Sequence, residues 1–205
     1  MSYIWNLLLK IIGNMLTSVD GVVGNFGLSI IIVTIIIKVL SLPLTLKQDK
    51  SMRAMKKLQP KLNELKKKYA NDKQTLNIKT MELYKEHKVN PAGGCLPLLI
   101  QLPILIALFN VLRNGIIPAD STFLWLKLAE PDPYYILPLL NGAISFLQQK
   151  VSGTSDNPQM KNMMYMFPIM MIVISYRMPA GLQVYWVASS VFTIVQQYFI
   201  MKRGD

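Results

Sequence analysis

Five long apolar stretches divide the chain into candidate membrane-spanning helices. The first runs from Phe26 to Leu46, and its 21 residues can cross a hydrocarbon core of roughly 30 Å at about 1.5 Å per residue. The other four are, in chain order, residues 93–113, 134–149, 162–178 and 182–201. Together the five use nearly all of the apolar residues, so no separate soluble core remains. The pattern predicts an all-α integral membrane protein with five transmembrane helices.

An amphipathic helix precedes the first predicted span. Within residues 1–25 the apolar side chains recur at helical spacing, while Asn6, Lys10 and Asn14 occupy the opposite face. This pattern predicts an interfacial helix that lies on the outer membrane surface. Asp20 and the glycines that follow it argue against one continuous helix into the span.

The segment between the first two spans, residues 47–92, reads as a helical hairpin, which we call the basic hairpin. Two amphipathic patterns meet at a turn at Asn71-Asp72, and Pro60 should kink the first helix or start its second half. The segment contains 13 Lys or Arg against 5 Asp or Glu, a net charge of +8 in a chain whose total is +11. We expect it to contact anionic lipid headgroups, the ribosome or an acidic partner, unless the lysines serve only topology and solvation. Free nucleic acid is not expected as a primary partner, because no base-stacking pattern accompanies the charge.

The distribution of charge predicts the orientation. Under the positive-inside rule the basic hairpin is cytoplasmic, together with the loop 150–161 and the tail 202–205. The loop 114–133 has one lysine against three acidic residues and is predicted to lie outside. The N-terminus is then outside and the C-terminus inside.

Lys38 is the only ionisable side chain in the stretch 26–46. Thr34 lies four residues before it, and Ser41 and Thr45 lie three and seven residues after it, so all four should share one helix face. A charged amine facing lipid is energetically costly, which favours a polar cavity within the protein. The alternative is a structural lysine that reaches the membrane surface or pairs with a carboxylate. Pairing has little support, because the later apolar stretches contain no Asp or Glu.

Neutral polar residues in the other spans are further candidates for such a cavity. Gln101, Gln148 and Trp186 lie in the second, third and fifth predicted spans. Such side chains either line a cavity or form hydrogen bonds between helices, and the sequence leaves both alternatives open. One cysteine, Cys95, excludes an intrachain disulfide, and no catalytic motif is present. We therefore expect a protein that is not an enzyme and needs no metal or cofactor.

Seven short motifs follow one another along the chain. They are TIIIK at 34–38, LPLT at 42–45, LQPK at 58–61, NPAGGCLP at 90–97, LIQLPI at 99–104, NPQM at 157–160 and PAGL at 179–182. In this order, with five spans, the chain resembles the YidC/Oxa1/Alb3 family of membrane protein insertases. The form with five spans and no large outer domain is similar to the Gram-positive bacterial type.

The resemblance implies an insertase and folding chaperone that works without nucleotide hydrolysis, alone or beside the Sec translocon. It also implies a groove in the inner leaflet, open to cytoplasm and lipid, whose positive charge is Lys38, where bacterial members usually have arginine. Lysine keeps the charge but lacks the planar fork of the guanidinium group. Our candidate groove residues are Lys38, Thr34, Ser41, Gln101, Gln148 and Trp186.

The expected partners are nascent membrane protein clients, with the ribosome, the Sec translocon and anionic lipids as further partners. We expect a protein that is functional as a monomer in the bacterial plasma membrane. The rival function is a channel or a transporter of small solutes or anions that uses Lys38. The absence of internal repeats and of charged rings in several spans weakens that alternative.

Overall fold

The structure is a computed structural model that describes residues 2–87, 89, 96–151 and 158–203. It is predominantly helical, as predicted. The helices are α1 (Ser2–Val23), α2 (Phe26–Leu40), α3 (Leu42–Lys57), α4 (Gln59–Lys68), α5 (Lys73–Glu86), α6 (Leu96–Arg113), α7 (Ile136–Val151), α8 (Pro158–Ser175) and α9 (Ala180–Arg203). Two short strands are β1 (Thr122–Phe123) and β2 (Leu126–Lys127). The chain forms two compact units, Met1–Leu40 with Leu102–Asp205, and Ser41–Gln101.

The prediction of one continuous helix over residues 26–46 is wrong. Helix α2 ends at Leu40, and α3 begins at Leu42 after a turn at Ser41. Pro43 causes the break, because it has no N–H to donate to the carbonyl of Val39 and its ring would collide with that carbonyl. The polar face predicted from Thr34 to Thr45 therefore continues within one helix only as far as Lys38.

Only one uninterrupted helical stretch in the described part of the chain, Trp5–Val23, has both the length and the hydropathy of a membrane span. Phe26–Leu40 and Leu42–Met55 meet the same test only when taken together. Gln101–Arg113 and Met164–Ser175 are apolar but shorter. The predicted count of five spans therefore stays a prediction, and α1, which was predicted to be interfacial, is long enough to cross a membrane.

The break between α1 and α2 lies at Gly24 and Asn25. Gly24 has a φ of +68°, which an L side chain rarely adopts, and its N–H donates to the carbonyl of Asp20 at 2.7 Å. The side-chain oxygen of Asn25 then accepts from the N–H of Leu28 at 3.1 Å. These two residues end one helix and cap the next, as expected from the sequence around Asp20.

The core of the first unit forms where α1, α2, α6 and α9 meet the 114–133 loop. Its most deeply buried side chains are Leu16, Ile30, Ala107, Val111, Ile117, Leu126, Leu128 and Ala180. Elsewhere the helices expose large apolar side chains, such as Leu139 on α7 and Ile169 and Val173 on α8, at 61%, 61% and 67%. Such surfaces are typical of contact with lipid.

The 114–133 loop is folded, which the sequence did not indicate. Strands β1 and β2 form an antiparallel hairpin in which Phe123 pairs with Leu126. The carbonyls of Leu128 and Glu130 accept from Gly181 N at 2.9 Å and Ala180 N at 2.7 Å, so the loop is attached to the start of α9.

The buried carboxylate of Asp132 attaches the same loop to α7. It accepts from Trp125 Nε1 at 3.1 Å, from Tyr134 N at 3.1 Å and from Leu137 N at 2.7 Å. Asp132 is only 1% exposed, so its three hydrogen bonds replace water as the partners of the carboxylate.

In the second unit, α4 packs on α5 through the buried side chains of Leu58, Leu62 and Leu83. Pro60 lies in the first turn of α4, so of the two alternatives predicted for it, the structure has the start of a helix. Asp72 caps α5 by accepting from Thr75 N at 3.0 Å. Hydrogen bonds first from the side chain and then from the backbone N–H of Thr75 lower the pKa of the Asp72 carboxyl. The motif residues 90–95 and 157 and the loop 152–157 lie outside the described residues.

A substitution at Gly27 can test the contact between α2 and β1. A Cβ atom added there would overlap the Cβ and the ring of Phe123, so Gly27→Ala should lower the free energy of unfolding by about 1–3 kcal/mol. Thermal unfolding in detergent measures the effect. Gly21→Ala is the matched control, since nothing lies within 4 Å of its added Cβ, and it should be neutral or slightly stabilising. Equal unfolding temperatures for the two variants would contradict this contact.

Asp132→Ala should loosen the 114–133 loop. It leaves three donors without their acceptor, of which the Leu137 N–H is buried. It should cost about 1–3 kcal/mol, the usual penalty for one unsatisfied buried donor. Hydrogen exchange should show faster exchange of the amides from Ser121 to Leu137. Asp120→Ala, at an exposed position of the same loop, should leave the exchange unchanged. Unaltered protection in Asp132→Ala would show that the carboxylate is dispensable.

Candidate functional site

The amine of Lys38 contacts α9. Lys38 is half-buried in the last turn of α2, and its Nζ donates to Thr193 Oγ1 at 3.2 Å. The Thr193 hydroxyl in turn donates to the carbonyl of Ser189 at 2.9 Å. Among the described residues no carboxylate lies within ion-pair distance of Lys38. The charge is therefore hydrogen-bonded to the Thr193 hydroxyl and is not neutralised by an acid in the described structure.

Thr34 lies one turn before Lys38 and is 1% exposed. Its hydroxyl donates to the carbonyl of Ile30 at 2.6 Å, so its polar group is satisfied within its own helix. Thr34 borders a small cavity of about 10 Å³, which is otherwise lined mainly by aliphatic side chains of α1, α2 and α6 and by Tyr185. A space of that size holds at most about one water molecule. The polar environment of Lys38 thus ends at Thr34.

One face of α9 is polar along much of its length. Residues at steps of three or four on this helix are Gln183, Trp186, Ser190, Thr193 and Gln197. Gln183 is fully buried, and its Nε2 donates to the carbonyl of Met178 at 2.9 Å. Gln183 Oε1 and Trp186 Nε1 are buried atoms without a hydrogen-bond partner in the described structure. This face can therefore take up further hydrogen-bonding groups.

A second polar face lies on α7, which packs against α9. Asn141 and Ser145 are buried, and Gln149 continues the row after one more turn. Asn141 Nδ2 is 3.5 Å from Ser175 Oγ. Asn141 Oδ1, Ser145 Oγ and both amide atoms of Gln149 are buried and lack a partner within the described residues. Unpaired buried polar atoms cost about 1–3 kcal/mol each, which favours water or a polar ligand at these helices.

The six candidate residues divide between the two units. Lys38 and Thr34 share α2, while the half-buried Gln148 and Trp186 lie on the packed pair α7 and α9. Ser41 and Gln101 belong to the second unit. There, the Ser41 carbonyl accepts from Leu44 N and Thr45 N at 3.1 and 3.0 Å, and Gln101 is half-buried on α6.

The sequence reasoning missed Thr193, Ser189 and Ser145 as candidates. The signal that would have found Thr193 is the spacing from Trp186 through Ser190 to Gln197, which places small and amide side chains on one helix face. Sequence spacing within α9 does not indicate that this face meets Lys38, because the contact joins residues 155 positions apart.

The basic hairpin has a separate surface cleft of about 460 Å³ between α4 and α5. Its charged lining residues are Lys61, Lys68, Lys79, Glu64, Glu82 and Glu86. Lys79 Nζ lies 2.7 Å from Glu82 Oε2, and this hydrogen bond raises the pKa of Lys79. Because the cleft holds equal numbers of Lys and Glu, the surplus positive charge of the hairpin lies elsewhere on its surface.

No group of three His, Cys, Asp or Glu side chains that could hold a metal ion is found in the described part of the chain. Lys61 Nζ lies 3.0 Å from His87 Nε2, and His87 Nδ1 lies 3.0 Å from the Leu83 carbonyl. The second contact fits a donor at Nδ1, which leaves Nε2 to accept from the lysine. The single histidine is therefore engaged in the packing of α4 on α5.

Comparison with known families gives a match over most of the chain. The 60Kd inner membrane protein family matches residues 18–205. A protein of Fusobacterium nucleatum named membrane protein insertase YidC is 73% identical over 204 residues, which cover 100% of both chains. Membrane protein insertase YidC 1 of Halalkalibacterium halodurans is 46% identical over 181 residues, covering 86% of this chain and 70% of that protein.

Other relatives are longer than this chain. Membrane protein insertase YidC of Geobacter sp. strain M21 is 46% identical over 184 residues, which cover 89% of this chain but 34% of that protein. Among solved structures, the crystal structure of an active YidC insertase with its first transmembrane domain resolved matches with a TM-score of 0.78 and 26% identity. The match covers 95% of this chain and 46% of that one.

Proposed function

The chain belongs to the 60Kd inner membrane protein family, and from that premise we propose that it works as a membrane protein insertase and folding chaperone. The family resemblance indicated by the sequence motifs is thereby confirmed, and the protein is a membrane protein. The names of its relatives, including one that is 73% identical over its whole length, support insertase activity. The observation in this chain that carries the mechanism is the half-buried amine of Lys38, hydrogen-bonded to Thr193 and without a carboxylate partner among the described residues.

The proposed first step is attraction of a client's short hydrophilic segment. A charge in a partly buried site attracts an opposite charge 4 Å away with about 4 kcal/mol at an effective dielectric constant of 20, against about 1 kcal/mol in water. An acidic residue in the client would compensate the positive charge of Lys38. The polar faces of α7 and α9 have buried groups without partners among the described residues, and we propose that these groups form hydrogen bonds with the client's backbone.

The proposed second step is lateral release. A polar site within the membrane shortens the apolar barrier that the hydrophilic segment must cross. The client's apolar segment then moves into lipid, and removal of its surface from water supplies the free energy. This scheme needs no nucleotide and no metal.

The basic hairpin is proposed to receive clients or the ribosome at the cytoplasmic surface. Its exposed lysines outside the neutral cleft support an electrostatic contact of long range and low specificity. The same proposal places the N-terminus outside and the C-terminus inside the bacterial plasma membrane, with the protein working as a monomer, alone or beside the Sec translocon.

Lys38 can be tested in proteoliposomes with a single-span client that has an acidic N-terminal tail. Lys38→Arg should retain insertion, whereas Lys38→Ala should reduce it at least about tenfold, since a charge pair in such a site is worth more than about 1.4 kcal/mol. Lys38→Glu should reduce it further through repulsion. Protease protection of the tail measures insertion.

Lys127→Ala, which removes an exposed lysine paired with Glu130, is the control for loss of one positive charge. Normal insertion by Lys38→Ala at equal protein level would rule out the electrostatic step. Flux of small anions without insertion by the wild-type protein would instead favour the channel or transporter.

The hairpin is tested by charge reversal at four exposed lysines, Lys57, Lys67, Lys73 and Lys85. Changing all four to Glu takes the net charge of the segment from +8 to 0. Ribosome binding to the full chain in nanodiscs of neutral lipid should fall strongly at low salt. The wild-type affinity should itself decline with salt, because the screening length is about 8 Å at physiological ionic strength. Arg at the same four positions is the control and should preserve binding, while binding that is insensitive to both charge and salt would refute this role.

A further inference from the structure

The hydrogen bonds of Lys38 and Thr193 have a fixed direction. An ammonium group has three N–H donors and no acceptor, whereas a threonine hydroxyl can both donate and accept. The Thr193 hydroxyl proton is directed to the Ser189 carbonyl at 2.9 Å. Its lone pairs then face the amine, which donates to Oγ1 at 3.2 Å. The backbone of α9 thus sets the orientation of the hydroxyl, and the hydroxyl sets the position of the amine.

This arrangement matters because a lysine side chain is flexible. Its rotamer freedom is worth about 2 kcal/mol, and a free amine would be distributed over many positions. Helix α9 supplies a rigid reference, since Ser189 and Ser190 are each only 5% exposed and the helix packs directly on α2. A hydrogen bond with one charged partner is also roughly twice as strong as a neutral one.

We propose that Thr193 is a positioning residue that holds the amine of Lys38 against α9 and thereby sets the preference of the site for acidic client segments. The inference rests on the proposed insertase function and extends it to a residue outside the predicted set. One N–H of the amine is bound by Thr193, and the other two, which have no hydrogen-bond partner among the described residues, are available to a client carboxylate. The carboxylate therefore meets a charge that is already held in place, and little rotamer freedom remains to be lost on binding.

The test compares Thr193→Val with Thr193→Ser in the full chain reconstituted in proteoliposomes. Valine has nearly the same volume as threonine but lacks the hydroxyl oxygen that accepts from Lys38, whereas serine keeps that hydroxyl. Two single-span clients are used, one with Asp and Glu in its tail and one with Asn and Gln at the same positions. Thr193→Val should lower insertion of the acidic client about tenfold, the effect expected for loss of a charge-assisted hydrogen bond. Insertion of the neutral client should stay within about twofold of the wild-type level. Thr193→Ser should insert the acidic client at about the wild-type level.

Thr17→Val is the matched control. The Thr17 hydroxyl also donates to the carbonyl four residues before it, at 3.1 Å, but it lies on α1 and is not hydrogen-bonded to Lys38. Thr17→Val therefore measures how much insertion falls when a helical threonine loses its hydroxyl without any effect on Lys38. Thermal unfolding of each variant in detergent checks that the fold is retained.

A double-mutant cycle separates positioning through Lys38 from a structural role. In a Lys38→Met background, Thr193→Val should cause no additional loss of insertion of the acidic client, because the amine that it positions is gone. A further loss of the same size in that background, or an equal loss for the two clients, would overturn the inference. If the wild-type protein inserts neither client, the proposed function itself fails. If it inserts both and Thr193→Val behaves like wild type, only the positioning role fails.

Discussion

The placement of a positive charge inside an apolar helix bundle constrains the rest of this structure. A lysine amine removed from water needs hydrogen-bonding partners, and an aliphatic neighbour cannot supply them. In this chain the partner comes from a helix 155 positions further along the sequence, through Thr193 on α9. The packing of α2 on α9, with Ser189 and Ser190 buried beside Thr193 in the sequence of α9, is compatible with that requirement. One turn before Lys38, the Thr34 hydroxyl is satisfied within α2, and the small cavity beside it is lined mainly by apolar side chains.

The 114–133 loop explains how α2, α7 and α9 are kept together at one end of the first unit. Phe123 lies directly on Gly27 of α2, and Asp132 binds the backbone at the start of α7. The carbonyls of Leu128 and Glu130 bind the start of α9. A loop with this many attachments also buries Leu126 and Leu128 in the core, so it is part of the folding unit of the helices it joins.

In the basic hairpin the neutral cleft and the surplus positive charge lie on different surfaces, which the composition alone does not reveal. Its cleft between α4 and α5 is lined by equal numbers of lysine and glutamate, whereas its outward surface carries the surplus charge. A neutral cleft lets the two helices pack without strong repulsion, and the exposed lysines are solvated. Stability and long-range attraction therefore depend on different residues, which makes it feasible to alter one without the other.

The sequence by itself determined the helical class, the membrane character, the basic segment and the family, and it made Lys38 the first candidate for the site. These follow from local periodicity, from hydropathy and charge counts, and from motifs in order along the chain, none of which requires knowledge of distant contacts. The sequence also contained Pro43, although the length of the apolar run outweighed it in the prediction of a continuous helix. Only the tertiary structure decided that α2 ends at Leu40, that Thr34 is satisfied within its own helix, that Asp132 binds the start of α7 and that Thr193 meets Lys38. The partner of a buried polar group depends on which helix faces are packed together, and a periodic pattern identifies a face but not the helix opposite to it.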